Sequence, residues 1–219
     1  MGNYDFRIRA KRWCKYLANY FQEKLHGLDF SMIYVGDLQR NTEEYHGYSM
    51  TDANDLKKML RAVPANAEAL SFLDVGCGKG MCLKCAAELG YKKVAGLDLD
   101  IHLLEIARRN MAKLKIDAEC ICANAETFSG YADYDVFYFY NPFGRSVFMQ
   151  VIQAIVDSQN QRNRDIWVVY YHPVFGDLFC QAGFTLENEV KDSTRDTTAR
   201  IYHYTKRVRT GKKTGGFER

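Results

Sequence analysis

From Leu70 onward the sequence predicts an α/β fold, a doubly wound and mostly parallel sheet, on three observations. Apolar runs of strand length alternate with amphipathic stretches at helical spacing, the pattern that sets helices on both faces of a parallel sheet. The first apolar run ends directly in "GCGKG", with glycines at 76, 78 and 80. The last two runs, "FTLENEV" and "ARIYHY", have only the polar loop "KDSTRDTT" between them, so they should pair as an antiparallel hairpin at one edge.

Taken in order, residues 3–27 read as one amphipathic helix, with Phe6, Trp13, Tyr16, Leu17, Tyr20 and Phe21 near helical spacing and Gly27 as its stop. A looser segment follows through "GDLQRNTEEYHGYSM". Thr51 or Asp52 is positioned to cap a helix running to about Val63, ended by Pro64. "LSFLDV" is the first strand, and 79–89 a helix with Cys82, Cys85, Ala86 and Leu89 on one face. "KVAGLD" is the second strand, and 101–113 a helix that Asp100 caps. "AECICA" and "DVFYFY" are the third and fourth strands, 145–158 a helix, "IWVVYY" the fifth strand and 174–182 a short helix. Residues 1–63 then form a helical cap or lid, 64–205 the core, and 206–219 a basic tail.

Composition narrows the function classes. At 219 residues, 47% hydrophobic and 26% charged, the chain has the make-up of one soluble globular unit able to bury a substantial core. No apolar stretch approaches the ~20 residues that span a bilayer, so no membrane partner is expected. The first residues have neither the apolar region of a secretory leader nor a myristoylation signal. Seven scattered cysteines suit reduced thiols in the cytoplasm. The net charge is +3, but the tail "KRVRTGKKTGGFER" holds six Lys/Arg against one Glu, which leaves residues 1–205 slightly negative. The body is thus no electrostatic clamp for nucleic acid. The tail could touch phosphates, but such basic termini are more often simply solvated.

The chemistry begins at the glycines. In an open parallel sheet, ligands bind beyond the carboxyl ends of the strands, near the switch point beside the first strand. Gly76, Gly78 and Gly80 lie there, and glycine lets a ligand rest on bare backbone. The dinucleotide fingerprint is G-x-G-x-x-G; here the pattern is D-x-G-x-G-x-G, and Met81 stands where the third glycine of that fingerprint belongs. Asp74 adds a carboxylate that disfavours pyrophosphate and suits a cationic amino group. Asp98 ends the second strand, where a carboxylate can accept from both ribose hydroxyls. A nucleoside with a cationic, amino-bearing arm is S-adenosylmethionine.

"LDVGCGKG", "AGLDLD", "CANAETF" and "YDVFYFYNPF", in that order over residues 70–141, resemble the four motifs of the class I S-adenosylmethionine-dependent methyltransferases. The resemblance implies a Rossmann-like seven-stranded sheet with its last strand antiparallel. It implies that Gly76 and Gly78 backbone, with Gly80 completing the loop, meets the methionine portion while Asp74 fixes the ammonium through water or amides. By the same resemblance Asp98 holds the ribose, Leu99 covers one adenine face, Asn124 accepts from the adenine amino group and Ala125 offers its N–H to the ring. Asn124 stands where the family usually has Asp.

Asn141-Pro142-Phe143 resembles the [D/N/S]-P-P-[Y/F/W] motif of amino-group methyltransferases, in which an oxygen accepts from the target nitrogen and the aromatic stacks on the substrate. The second proline is missing, and Asn-Pro is also an ordinary turn initiator. His172 at the end of the fifth strand has two readings, general base or hydrogen-bonded cap. Tyr48 and Thr51 are lid candidates or part of a surface turn, and Tyr140 is the member of "FYFY" nearest the rim. Cys82-x-x-Cys85 and Cys120-x-Cys122 have the arithmetic of a four-thiolate zinc site, yet they fit buried faces where Cys acts as a small hydrophobe, so no metal is expected. The expected activity is methyl transfer to a nitrogen acceptor: a protein side chain, a small molecule or a nucleic-acid base. The alternative is a catalytically silent S-adenosylmethionine-binding module. NAD-dependent oxidoreduction is disfavoured by the glycine spacing and by Asp74.

Overall fold

The computed structural model describes residues 17–18, 20–31, 51–193 and 195–205. The chain forms one seven-stranded sheet in the order β3-β2-β1-β4-β5-β7-β6. Its strands are β1 (Ser71–Val75), β2 (Lys93–Asp98), β3 (Glu119–Cys122), β4 (Val136–Tyr140), β5 (Ile166–Tyr171), β6 (Thr185–Lys191) and β7 (Thr198–Tyr204). β1 to β5 pair in parallel, and β7 is antiparallel to both β5 and β6. The terminal hairpin therefore enters the sheet with β7 inside and β6 at the edge.

The helices are α1 (Ala53–Arg61), α2 (Met81–Glu88), α3 (Ile101–Leu114), α4 (Arg145–Asp157) and α5 (Asp177–Gln181). Helices α1 and α2, with Leu104 and Met111 of α3, pack on the face that carries Phe72, Val94 and Tyr138. α4 and α5 cover the other face, where Phe148 and Phe179 meet Phe139 and Tyr170. β5 is buried along its whole length, as expected of a strand covered on both faces.

Local signals account for most boundaries. Asp52 caps α1 by accepting from Asn54 N at 3.0 Å, and Asp100 caps α3 by accepting from His102 N at 2.9 Å. α2 starts at Met81, two residues later than the spacing predicts, because Gly80 sits in the left-handed region at φ +85°. The expected long N-terminal helix is described only at 17–18 and 20–25; a turn at His26-Gly27 follows, with Gly27 at φ +65°. The rest of that helix, Tyr48 and the basic tail lie outside the described residues.

Residues 20–31 are held to the core. The buried Glu23 carboxylate accepts from Phe30 N, Ser31 N and Ser31 Oγ. Asn110 of α3 grips the next stretch, accepting from Asp29 N at 3.0 Å and donating to Asp29 O at 2.9 Å. At the opposite side, the β6–β7 loop docks on α1: Asp55 accepts from Ser193 N and Ser193 Oγ at 3.1 and 2.8 Å.

Candidate active site

β1 runs out at Val75, and the backbone turns sharply. Gly76 N and Cys77 N both donate to Leu97 O, at 2.8 and 3.0 Å, which fastens the loop to the end of β2. Gly76 lies at φ +88°, and a Cβ there would come within 3.0 Å of Pro142 Cβ. The glycine loop and the Asn141-Pro142 turn are thus in direct contact. Gly80 serves close packing, since its Cβ would meet Ala107 Cβ at 3.3 Å and Met111 Cε at 3.4 Å on α3.

The loop is held by Lys79, a residue that motif reading passed over. Lys79 is 1% exposed, and its Nζ reaches Asp29 Oδ1 at 3.0 Å. Asn110 Nδ2 also donates to Lys79 O at 3.1 Å. No local sequence signal joins Asp29, Lys79 and Asn110; only the fold brings them together.

The two expected acids meet at this loop. Asp98 accepts from Gly78 N through Oδ2 at 2.8 Å and from Asp100 N through Oδ1 at 2.9 Å. These two backbone donors fix the direction of the carboxylate. Asp74 is 3% exposed, and burial, with the Asp98 charge added, pushes its carboxyl well above the ordinary carboxylate range. A cation placed here would favour the ionised form of this carboxyl.

Beyond β2, Leu99 and Ile101 are exposed at 56% and 41%, which leaves an apolar surface beside Asp98. Asn124 Oδ1 accepts from Glu126 N at 2.9 Å, and its Nδ2 donates to Glu126 Oε2 at 3.4 Å. The expected adenine acceptor thus already closes a local turn with one lone pair. Ala125 is buried, and its carbonyl accepts from the Tyr131 hydroxyl at 2.7 Å.

At the end of β4, Asn141 adopts φ +39°, one of three non-glycine residues among those described with positive φ. Its Oδ1 accepts from the Tyr170 hydroxyl at 2.8 Å, and that hydroxyl in turn accepts from Phe175 N at 3.3 Å. Burial pushes the Tyr170 phenol up, so it stays a neutral donor and sets the Asn141 amide with its oxygen inward. Phe143, expected to face a substrate, is turned into the core: it is 7% exposed and packs on Phe148 with centroids 6.3 Å apart. With one residue fewer than the two-proline motif, the turn delivers the aromatic to the α4 layer.

The remaining candidates separate. Tyr140 is half-buried; its ring lies 4.6 Å from that of Tyr171, and Arg195 Nη1 donates to its hydroxyl. Asp192 joins them by accepting from the Tyr171 hydroxyl at 2.6 Å and from Arg195 N at 2.7 Å. His172 is exposed at φ +53°, its Nδ1 3.1 Å from Thr197 Oγ1. Thr51, read as lid or surface turn, is instead buried, at 5% exposed. Cys82 and Cys85 belong to the core, and burial pushes the Cys85 thiol up to about 12.

Residues 72–158 match the family described as "Methyltransferase domain". The chain is 37% identical over 62 residues to a ribosomal protein L11 methyltransferase of Agathobacter rectalis, covering 28% of this chain and 19% of that protein. It is 42% identical over 52 residues to the Dechloromonas aromatica protein of the same name, covering 24% and 18%. The chain thus spans only about a fifth of the length of these relatives. Among solved structures, an RNA methyltransferase from Salinibacter ruber in complex with S-adenosyl-L-homocysteine shares the fold, with a TM-score of 0.58 at 16% identity, over 73% of this chain and 96% of that one. Residues 72–158 thus form a methyltransferase domain by similarity, with the glycine loop, Asp98 and Asn141 at the ends of β1, β2 and β4.

Proposed function

We propose that the chain transfers a methyl group from S-adenosylmethionine to a nitrogen acceptor carried by a protein or an RNA. The observation that carries this reading is the contact of Pro142 with Gly76, which sets the Asn141 turn against the loop that would hold the cofactor. The donor set suits the cofactor's chemistry: buried Asp74 for a cationic amino group, Asp98 for ribose hydroxyls, Leu99 for an adenine face, Asn124 and Ala125 for its edge, and Gly76, Gly78 and Gly80 for close backbone approach. When bound, S-adenosylmethionine supplies a methyl on a sulfonium that leaves as a neutral thioether.

The residues of this chain do the positioning that such an in-line displacement needs. Asn141 Oδ1 has one lone pair engaged by Tyr170 and another available to a target N–H. Accepting that N–H aims the nitrogen lone pair away from Asn141, and the proton lost after transfer passes to solvent. In this reading Tyr140, joined to Arg195 by a hydrogen bond, lines the acceptor side. A protein or RNA acceptor is supported by the names of the relatives. In the same reading residues 1–63 form a substrate-selecting cap.

The first test is calorimetric titration with S-adenosylhomocysteine, with NAD and an Asp98→Ala variant as controls. Micromolar binding that the variant loses is expected; preference for NAD would overturn the cofactor. The second is transfer of labelled methyl to ribosomal particles, followed by separation of protein from RNA and analysis of the methylated atom. Label on oxygen or carbon would overturn the nitrogen acceptor.

A further inference from the structure

Two buried hydroxyls near Asp74 lack hydrogen-bond partners among the described residues. Thr51 Oγ1 and the Tyr138 hydroxyl are both shielded from solvent, in side chains of residues 5% and 3% exposed, and neither makes a hydrogen bond with a described residue. The two lie close enough to interact with one another. Even a bond between them would leave one O–H without an acceptor. Leaving a buried hydroxyl unsatisfied is costly, and native structures keep few such groups without a reason.

Their position supplies the reason. Tyr138 on β4 is the register partner of Asp74 on β1, so the two side chains stand side by side on one face of the sheet. Burial, then the Cys82 and Asp74 groups, pushes the Tyr138 phenol up, which keeps it a neutral donor. A buried carboxylate and two unused hydroxyl donors therefore share one small region. An α-amino acid group requires that combination: an anion for its ammonium and neutral donors for its carboxylate.

We propose that the Tyr138 and Thr51 hydroxyls bind the carboxylate of the methionine arm of the cofactor, beside the ammonium held at Asp74. This rests on S-adenosylmethionine as the cofactor. It makes Thr51 a binding residue in the floor of the site, and it adds Tyr138, which sits in an aromatic run that otherwise reads as sheet core.

The test compares two ligands on the full chain. S-adenosylhomocysteine carries the amino-acid arm; 5′-methylthioadenosine has the same nucleoside and sulfur without it. Calorimetry is run on the wild type, Tyr138→Phe, Thr51→Val and the double variant, with thermal melts of each ligand-free protein. Each single substitution should weaken S-adenosylhomocysteine about tenfold, as loss of a hydrogen bond to a charged group does, and leave 5′-methylthioadenosine unchanged. The ligand-free melting temperature should hold or rise, because an orphan hydroxyl has been removed; a merely structural hydroxyl would lower it. Unchanged S-adenosylhomocysteine affinity in both variants, or equal weakening of both ligands, overturns the proposal. If Tyr138→Phe does not fold, Thr51→Val alone decides. A wild type that binds neither ligand refutes the cofactor assignment instead, and the proposal falls with it.

Discussion

The Tyr170 hydroxyl donates to Asn141 Oδ1 at 2.8 Å, so the residue at the proposed methyl-acceptor turn is oriented from the neighbouring strand, β5. Tyr170 is fully buried, so this orientation is set before any substrate arrives. Tyr170→Phe should lower methyl transfer about tenfold, the scale of one lost positioning hydrogen bond, while S-adenosylhomocysteine affinity stays as in the wild type. Parallel calorimetry and transfer assays read the two effects separately. Equal loss in both would mean that the tyrosine supports the cofactor loop.

Gly76→Ala should damage both loops at once. The residue stands at φ +88°, and the added methyl would lie 3.0 Å from Pro142 Cβ. Left-handed backbone costs a non-glycine residue about 1–2 kcal/mol, and the crowding would displace the Asn141 turn as well. A lower thermal midpoint together with weakened S-adenosylhomocysteine binding is expected. A variant with wild-type binding would show that the loop tolerates a Cβ and that Pro142 yields.

The Lys79–Asp29 pair gives a paired test. Asp29→Ala removes a carboxylate partner from a lysine whose side chain is 2% exposed, and Asp29 itself is 29% exposed. The expected loss is about 1–3 kcal/mol, since a buried charge loses its counter-ion while some water reaches it. Adding Lys79→Met should recover much of that loss, because the lysine charge goes too. Denaturant titration of the single and double variants measures the coupling. A double variant no more stable than Asp29→Ala would mean that Lys79 keeps enough other support.

Asp74 predicts a pH dependence of opposite sign for stability and for binding. Burial, then the Asp98 charge, raises its folded pKa above the unfolded value of about 3.9. Between those two values the native state binds more protons than the unfolded state, so its contribution to stability falls as pH rises through that window. A cationic ligand favours the ionised form, so over the same window cofactor affinity should rise with pH and binding should release a proton. Calorimetry of S-adenosylmethionine binding in buffers of different ionisation enthalpy reads that proton directly. Proton uptake, or none at any pH, would contradict the assignment of the ammonium to Asp74. Asp74→Asn should stabilise the ligand-free protein above the window and weaken the cofactor.

The sheet was largely legible because its strands carry their own signal. β2 and β5 begin and end where the apolar runs "KVAGLD" and "IWVVYY" do, and Asp100 caps α3 as its position before the helix suggests. The contact between the glycine loop and Asp98 follows from two contiguous motifs at the ends of neighbouring strands. What could not be read depends on contacts between distant residues. Nothing near Asp29 announces Lys79, fifty residues on, and nothing in "YYH" announces the bond from Tyr170 to Asn141. The inward turn of Phe143 accompanies a φ +39° backbone at Asn141, a conformation that residue identity permits without requiring. The exposed setting of His172, and its place beside Thr197, was likewise decided by the returning hairpin.

The position of β7 has a consequence for how the protein is made. β5 is wholly apolar and buried, and one of its edges is closed only by the antiparallel strand that ends at Tyr204. During synthesis that edge waits for the last strand of the sheet to leave the ribosome, exposing the backbone groups of "IWVVYY" in the meantime. A nascent chain halted before Thr198 should therefore be a sticky, chaperone-dependent species, even though every cofactor motif has already been translated. Completing the hairpin converts an open edge into a closed one, so its final residues protect the newborn chain from aggregation as well as shaping its rim.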